Sequence, residues 1–464
     1  MRPFPAAPGL TGNYVPLLIE GNINDCVIEG DVPPTLRGSY YRNGPNPQYP
    51  PRGTYANWYD GDGMVHAWHF DDGRVSYVNR WTRTERFLAE RKAGRALYPT
   101  LYSPGSGDPS VQGKSLNAAN DTILVHHGRV FSTWETGLPH ELDPISLETK
   151  GPYDFAGGIP HDVMVHPKID GRTGELHLFG RTRPHPEAGD SVYHVVDRDG
   201  RVVHSTRIKT PYDSMTHDMF LTEDYVVLSV MPGVYDRRRL AEGKPYLAWE
   251  NHRSSFLGVL ERFGRGEDIV WIEFAGCWGS HTMNAYQQGD ELLCDTARYP
   301  RAMLFPNPDG TWPDLKTMTL PSVYRWRVDL KARSVKEERF DGSLGEMPSM
   351  DLRHRAHPYR HGYSAGWAKP GGNFDCVHHY DWKSGQRESY VPGDGCFVGE
   401  PAFAPRTPDS PEGDGYILTT VFRRDENRSD LVVLDAQRLA NGPIATVKMP
   451  HRVPGGLHGA WRQR

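Results

Sequence analysis

Short runs of β-branched and aromatic residues recur along the whole chain, and this pattern restricts its fold more than any other feature. Each run is roughly four to eight residues long and is bounded by glycine, proline or polar turn residues, as in antiparallel strands. Some neighbouring runs are predicted to form hairpins, because the step between them ends in a glycine that can adopt the positive φ of a tight turn. These steps are Asp72-Gly73, His127-Gly128 and Asp199-Gly200.

Helical periodicity is scarce in comparison. Residues 235–243 and the stretch after Asp435 are the best candidates for short helices. Many evenly spaced strands with few helices predict a sandwich, a barrel or a propeller. No segment has the composition of a linker, so residues 1–464 are predicted to form a single domain.

Composition and charge exclude some classes of partner and of cellular location for this protein. Charged residues make up 24% of the chain and the net charge is −5, without a basic stripe, so no nucleic acid partner is expected. The first residues do not resemble a signal peptide, and no apolar run reaches the about 18 residues of a transmembrane helix. Five cysteines without C-x-x-C spacing indicate reduced thiols. These features together predict a cytoplasmic protein without a transmembrane segment.

Four histidines, His166, His217, His281 and His458, each lie in a short apolar run that is predicted to be a strand or a strand end. They are so far apart in the sequence that no single helix or loop could gather them. If they meet, a closed and repetitive β architecture must bring them to one axis, and a shared metal ion is the natural reason. The alternative is that each is a structural histidine with a local hydrogen-bond partner.

Glutamates in equally apolar settings could support such a metal site. Neutral imidazoles bind iron, copper, zinc or nickel, and a ligating ring usually donates its other N–H to a carboxylate. Glu135, Glu346 and Glu400 are the candidates, although each could also be an ordinary glutamate of an edge strand or a turn. The motifs of zinc proteases, serine hydrolases, phosphate loops and dinucleotide-binding folds are missing from the sequence.

A set of motifs follows in order over nearly the whole chain. The motifs are GSYYRNGPNPQY (38–49), NWYDGDGMVHAW (57–68), WETGLPHELDPISLETKG (134–151), HPKIDGRTGELHLFG (166–180), THDMFLTEDYVVL (216–228), HTMNAYQQGDEL (281–292), GEMPSMD (345–351), GEPAFAPR (399–406) and LHGAW (457–461). This ordered set resembles the carotenoid cleavage oxygenase family, which includes the lignostilbene dioxygenases. The resemblance implies an all-β fold, a seven-bladed β-propeller with a few short helices and loops that form a cap over the top face.

The resemblance also implies a metal centre with one Fe(II) per chain, held by four histidines, three of which are hydrogen-bonded to glutamates. Matched motif by motif, the ligands are His166, His217, His281 and His458, and the glutamates are Glu135, Glu346 and Glu400. His161 is a rival to His166, and the HPK-x-D pattern favours His166.

The activity implied by the resemblance is that of a non-haem Fe(II)-dependent dioxygenase, with O₂ and a small apolar alkene as its partners. Such an enzyme cuts a carbon–carbon double bond into two carbonyl products and needs no organic cofactor. The THDMFL and HTMNAY forms are similar to the branch that cleaves stilbenoids and phenylpropanoids. Carotenoid or apocarotenoid cleavage is the alternative, and a non-catalytic propeller that binds a small molecule or a protein is another. Carotenoid-cleaving relatives contact bilayers, but no amphipathic helix indicates such contact here.

The expected substrate pocket departs from the stilbene-cleaving pattern. Trp134 stands where those relatives have a lysine that, together with a tyrosine, holds the phenol of the substrate. Tyr98 and Tyr102 are the upstream tyrosines, and neither is clearly in register. Trp134 could stack on a flat substrate or fill the core. Tyr59, where the family usually has phenylalanine, is a further candidate for the pocket wall.

A second departure lies where the family commonly reads A-N-T-N and this chain reads Ala119-Asn120-Asp121-Thr122. Without a gap, Asp121 takes the place of a threonine whose methyl group lies near an open iron position. We expect its carboxylate to reach the metal or a bound water and to alter O₂ access. The alternative is a shift by one residue that gives this place to Thr122.

Overall fold

The computed structural model describes residues 3–52, 58–101, 103–135, 137–160, 162–181, 190–314 and 318–464. It divides into two compact units. Unit 1 contains Met1–Asp154, Asn373–His379 and Glu388–Arg464, and unit 2 contains Phe155–Gly372 and Tyr380–Arg387. The single domain over residues 1–464 stays a prediction.

Unit 1 contains three antiparallel sheets within the described residues. Sheet 1 has the strand order Gly21–Ile23, Arg74–Trp81, Gly63–Asp71, Gly38–Pro45 and Gly459–Gln463. Sheet 2 has the order Ile123–His126, Arg129–Ser132, His140–Leu142 and Thr149–Pro152. Sheet 3 has the order Val27–Gly30, Pro443–Lys448, Arg428–Asp435, Gly415–Arg423 and Cys396–Val398, and Ala402–Pro405 also pairs with Gly415–Arg423.

Unit 2 has three four- or five-stranded sheets of its own in the part of the chain that is described. Sheet 4 has the order Asp162–Val163, Leu176–Arg181, Asp190–Val196 and Val202–Lys209, and Lys168–Ile169 also pairs with Leu176–Arg181. Sheet 5 has the order Met219–Leu221, Tyr225–Val230, Ser255–Glu261 and Val270–Phe274. Sheet 6 has the order Trp278–Gln288, Glu291–Tyr299, Ser322–Asp329 and Ser334–Arg339.

A two-stranded ribbon in unit 2 pairs Gly233–Tyr235 with Leu247–Trp249. Sheet 7 begins in the same unit, where Leu344–Met350 pairs with His361–Trp367. Its remaining strands, Cys376–Asp381 and Gln386–Tyr390, cross the boundary between the units. The described strands therefore form seven sheets of four to six strands.

The predicted hairpins are confirmed. Asp72 and Gly73 have φ of 50° and 77°, and His127 and Gly128 have φ of 49° and 70°. Two consecutive positive φ angles give the turn whose twist matches that of the flanking strands. Gly200 has φ of 85° in the longer connection between the third pair of strands.

Helices are few in the described parts of the chain, with two α-helices, Glu85–Ala93 and Arg237–Ala241. The second confirms the helix predicted within 235–243. The first was not predicted, because it lacks a clear apolar face and buries only Phe87 and Glu90. The stretch after Asp435 forms only a 3₁₀ turn. The 3₁₀ segments are Pro8–Leu10, Gly12–Tyr14, Pro104–Ser106, Pro109–Val111, Gly266–Asp268, Leu352–His354 and Leu439–Asn441.

Each unit has its own hydrophobic core. In unit 1, Tyr40 and Trp68 from sheet 1 pack with Leu418 and Val433 from sheet 3, and all are fully buried. The inner strands of sheet 3 are buried on both faces, which explains why they read as continuous apolar runs rather than as alternating patterns. None of the described helices has the length and apolar character needed to cross a membrane.

Candidate metal centre

In unit 2, three of the predicted histidines lie on or beside the edge strands of neighbouring sheets. His166 lies between the short strands Asp162–Val163 and Lys168–Ile169 of sheet 4, and His217 lies two residues before the first strand of sheet 5. His281 lies in the first strand of sheet 6, inside the irregularity in its pairing between Gly279 and Thr282. An irregular edge strand can aim a side chain away from the regular pleat, so these positions allow the rings to converge.

The imidazole nitrogens of these histidines converge closely. His217 Nε2 lies 3.3 Å from His166 Nε2 and 3.1 Å from His281 Nε2. Two nitrogens bound to one ion at about 2.1 Å are about 3.0 Å apart at a right angle and about 3.4 Å apart at the tetrahedral angle. The observed separations lie within this range, so the described geometry of unit 2 fits a shared metal ion.

The proton on His281 is placed by Glu346. His281 Nδ1 lies 2.7 Å from Glu346 Oε2, the Tyr299 hydroxyl donates to Glu346 Oε1 at 3.1 Å, and the Met347 N–H donates to Oε2. Burial alone would raise the pKa of Glu346, but the His281 ring and the hydrogen bond from the Met347 N–H hold that pKa below its ordinary value. The glutamate is therefore an ionised acceptor, His281 donates its Nδ1–H, and the lone pair of Nε2 is left for a metal.

A buried ion pair ties together the segments that carry the histidines. Lys168 Nζ lies 2.6 Å from Asp218 Oδ1, and both side chains are less than a tenth exposed. Asp218 Oδ2 accepts from Thr282 N at 2.8 Å and from Thr282 Oγ1 at 3.0 Å. These residues follow His166, His217 and His281 by one or two positions. Their network therefore fixes the backbone that positions the rings.

A second pair of contacts holds the segment that carries His166. Asp170 accepts from Arg262 Nη2 at 2.5 Å and lies 3.2 Å from His357 Nε2. The lysine and aspartate of the HPK-x-D motif thus hold the segment of His166 in place. The sequence analysis assigned no partner to Lys168 or Asp170. The available signal was that both are charged residues in apolar surroundings, at a fixed sequence distance from the candidate ligand His166.

Unit 1 repeats the arrangement around His458. His458 Nδ1 lies 2.8 Å from Glu400 Oε1, and the following Gly459 N–H donates to Glu400 Oε2 at 2.6 Å. Both side chains are at least nine-tenths buried. As for His281, a carboxylate accepts the Nδ1–H hydrogen bond, which leaves the lone pair of Nε2 for a metal.

Asp121 faces the Nε2 atom of His458. Its Oδ1 lies 3.5 Å from His458 Nε2, within unit 1. The backbone N–H of Asp121 donates to Thr133 O at 3.0 Å, and the Thr133 N–H donates to Thr122 O at 3.0 Å. Thr122 Oγ1 lies 3.5 Å from the same carboxylate oxygen. The structure therefore places the Asp121 carboxylate beside His458, and its role at a metal stays a prediction.

The other predicted site residues lie in unit 1, and their roles stay predictions. Tyr59 is half-buried, stacks on Trp58 with 4.5 Å between the ring centroids, and its carbonyl accepts from Asn120 Nδ2 at 2.9 Å. Trp134 and Glu135 are half-buried and come shortly after the strand Arg129–Ser132 of sheet 2. Tyr102 and His161 lie outside the described residues.

We expect Glu346→Gln to weaken metal binding about 10- to 100-fold, because the neutral amide no longer favours the Nδ1–H form of His281. Titration of the metal-free protein with Co²⁺ measures the change, and Glu400→Gln should act similarly through His458. The control is Glu291→Gln, which removes a carboxylate that pairs with Arg327 on the same sheet as His281. Equal affinities of the Glu346 and Glu291 variants would contradict the assigned role.

Comparison with known proteins agrees with this geometry. The family model for the retinal pigment epithelial membrane protein matches residues 14–463. The chain is 39% identical to an isoeugenol monooxygenase of Pseudomonas putida, over 98% of each sequence. It is 34% identical to the lignostilbene-α,β-dioxygenase isozyme III of Sphingomonas paucimobilis, over 99% of this chain and 98% of the relative.

Solved structures extend the likeness to the fold. The crystal structure of a lignostilbene dioxygenase of Pseudomonas brassicacearum matches with a TM-score of 0.95 and 31% identity over all of both chains. The expected all-β class, the small number of helices and the alkene-cleaving activity are thereby confirmed. The chain therefore belongs to the carotenoid cleavage oxygenase family, as a seven-bladed β-propeller enzyme that cleaves a carbon–carbon double bond with dioxygen.

Proposed function

We propose that this enzyme cleaves the side-chain double bond of a phenylpropanoid or stilbenoid, with one Fe(II) per chain held by His166, His217, His281 and His458. The observation that carries the proposal is the convergence of the three Nε2 atoms in unit 2, at 3.1 and 3.3 Å, together with the Glu346-bonded Nδ1 of His281. Family membership supports His458 as the fourth ligand. It likewise supports Glu135 as the third glutamate that orients a ligand.

The donor set suits this metal. Neutral imidazole is a ligand that iron accepts well, and the donors that converge in unit 2 are nitrogens rather than the oxygens that calcium prefers. When bound, Fe(II) supplies the capacity to activate dioxygen for attack on the alkene. The residues of the chain hold the protons in place: Glu346 keeps one on His281 Nδ1, and Glu400 keeps one on His458 Nδ1. Neither ring can then turn away from the metal without losing a buried hydrogen bond.

The substrate class is proposed from the relatives and from the aromatic residues near the site segments. The isoeugenol monooxygenase shares a larger part of its sequence with this chain than the lignostilbene dioxygenase does. Trp134 offers an aromatic face instead of the lysine clamp, so we propose that a flat ring stacks on it. Tyr59 adds a hydroxyl group that can bond to a phenol. Carotenoid or apocarotenoid cleavage is the second candidate, supported by the carotenoid-cleaving relatives.

We also propose a cytoplasmic location, supported by the five cysteines, all of which lie in the described residues, are buried and form no disulfide there. Thiols that remain unpaired are typical of a reducing compartment.

The test is aerobic incubation of the iron-loaded enzyme with isoeugenol, a hydroxystilbene and an apocarotenal, followed by identification of the aldehyde products. We expect about one iron per chain, as four ligating histidines imply, and aldehydes from isoeugenol or the stilbene with consumption of O₂. Faster cleavage of the apocarotenal would favour the second candidate. A protein that binds no iron and yields no aldehyde from any substrate would contradict the proposal and would favour a non-catalytic propeller.

A further inference from the structure

We infer that Asp121 is an additional protein group of the metal centre, whose carboxylate interacts with the ion bound at His458 Nε2 or with a water on that ion. The inference rests on the proposed function, since it requires a metal at His458. The observation behind it is the separation of 3.5 Å between Asp121 Oδ1 and His458 Nε2, the nitrogen that does not bond to Glu400.

Electrostatics explains why this contact suits a bound cation. His458 Nδ1 donates to Glu400, so the neutral ring that a metal requires presents a lone pair at Nε2. A carboxylate oxygen close to a lone pair is repelled, and only 12% of the Asp121 side chain is exposed, so bulk water screens the repulsion little. A positive ion, or a water polarised by one, turns the contact into an attraction because it is shared by both groups.

The backbone holds Asp121 in this position. Ala119 has φ of 48°, an uncommon angle for a residue with a side chain, and its carbonyl accepts from Asn43 Nδ2 at 3.0 Å. The side chain of Asn120 donates to the carbonyls of Tyr59 and Gly61 at 2.9 and 2.8 Å. With the bonds of Asp121 and Thr122 to Thr133, these contacts fix both sides of Asp121. A group that is fixed in this way is pre-organised to act on a neighbour.

The carboxylate would change the character of the centre. Four neutral imidazoles leave the full charge of a divalent ion uncompensated, whereas Asp121 compensates part of it. Carboxylate oxygen also suits ions such as Mn²⁺ and Fe²⁺ better than it suits softer ions. We therefore expect Asp121 to strengthen the binding of divalent ions, independently of catalytic turnover.

The experiment is anaerobic titration of the metal-free protein with Co²⁺ against a competing chelator, with the visible absorption of bound Co²⁺ as a second readout. Asp121→Asn keeps the shape and removes the charge, so we expect at least about tenfold weaker binding and a changed absorption spectrum, as for other partners of a metal ligand. Asp121→Glu keeps the charge and should bind Co²⁺ more tightly than Asp121→Asn. Asp121→Thr, which also lacks the charge, should behave like Asp121→Asn and replaces it if that variant does not fold.

The outcomes separate the inference from the proposed function. If the parent binds Co²⁺ at one site per chain and the folded Asp121→Asn or Asp121→Thr variant has the parent's affinity and spectrum, the inference is overturned while the metal site stands. If the parent itself binds no Co²⁺ or Fe²⁺, the proposed function is overturned and the inference with it.

Discussion

His281→Ala is expected to lower the iron content of the purified protein and to reduce alkene cleavage at least about hundredfold. Losing a group that only supports a metal ligand costs up to about hundredfold, and losing the ligand itself should cost at least as much. His281 Nε2 lies 3.1 Å from His217 Nε2, and its Nδ1 is bonded to Glu346. The substitution removes one metal ligand and also leaves a buried carboxylate without its main partner. Metal analysis and the rate of aldehyde formation measure both effects.

The matched control is His252→Ala in the same unit, because the His252 side chain is 78% exposed and lies in a turn. This variant should keep the iron content and rate of the parent. A His281→Ala protein that retains iron and activity would show that the three converging imidazoles do not form the metal centre.

Lys168→Met should lower the free energy of unfolding by about 3–5 kcal/mol, the cost of leaving one partner of a buried ion pair without compensation. Burial would by itself raise the pKa of Asp218, but Lys168 and the Thr282 N–H hold that pKa below its ordinary value, so the carboxylate is charged. Without Lys168 that charge is left buried beside the segments of the histidines. Denaturant unfolding measures the loss, and weaker Co²⁺ binding should accompany it.

A second substitution separates the charge from the packing. Asp218→Asn in the Lys168→Met background removes the buried charge and keeps an oxygen that can accept from Thr282. We expect the double variant to be more stable than Lys168→Met alone, since two neutral groups cost less to bury than one uncompensated ion. Equal stability of the parent and Lys168→Met would show that the ion pair does not hold these segments together.

Local chemistry made much of the fold predictable. The hairpins followed from residues that tolerate positive φ, such as the Asp72-Gly73 and His127-Gly128 steps. The number of blades did not follow from periodicity, because strands such as Gly415–Arg423 are buried on both faces and do not alternate. It came from the resemblance to a known family. The helix Glu85–Ala93 was missed because its stability depends on the Thr84 cap and on local packing rather than on an apolar face.

The residues expected at the site came from sequence motifs, and their roles stay predictions. In the structure, His281 Nδ1 contacts Glu346 and His458 Nδ1 contacts Glu400. The Lys168–Asp218 pair and the Tyr299 hydroxyl were missed, because their partners lie on other sheets and no short sequence pattern encodes such a contact. The sequence left the choice between Asp121 and Thr122 open, because only the folded chain shows that the Asp121 carboxylate lies 3.5 Å from His458 Nε2.

The pairing of Gly38–Pro45 with Gly459–Gln463 has a consequence for biosynthesis. Arg42 Nη2 donates to Gly456 O, 414 residues further along the chain, close to His458. One edge of sheet 1 therefore lacks its partner strand while most of the polypeptide is being translated. Contacts between residues so far apart in the sequence form slowly. In the proposed iron centre, His458 can therefore take part only after this segment has emerged from the ribosome, so the full set of four ligands forms late in synthesis.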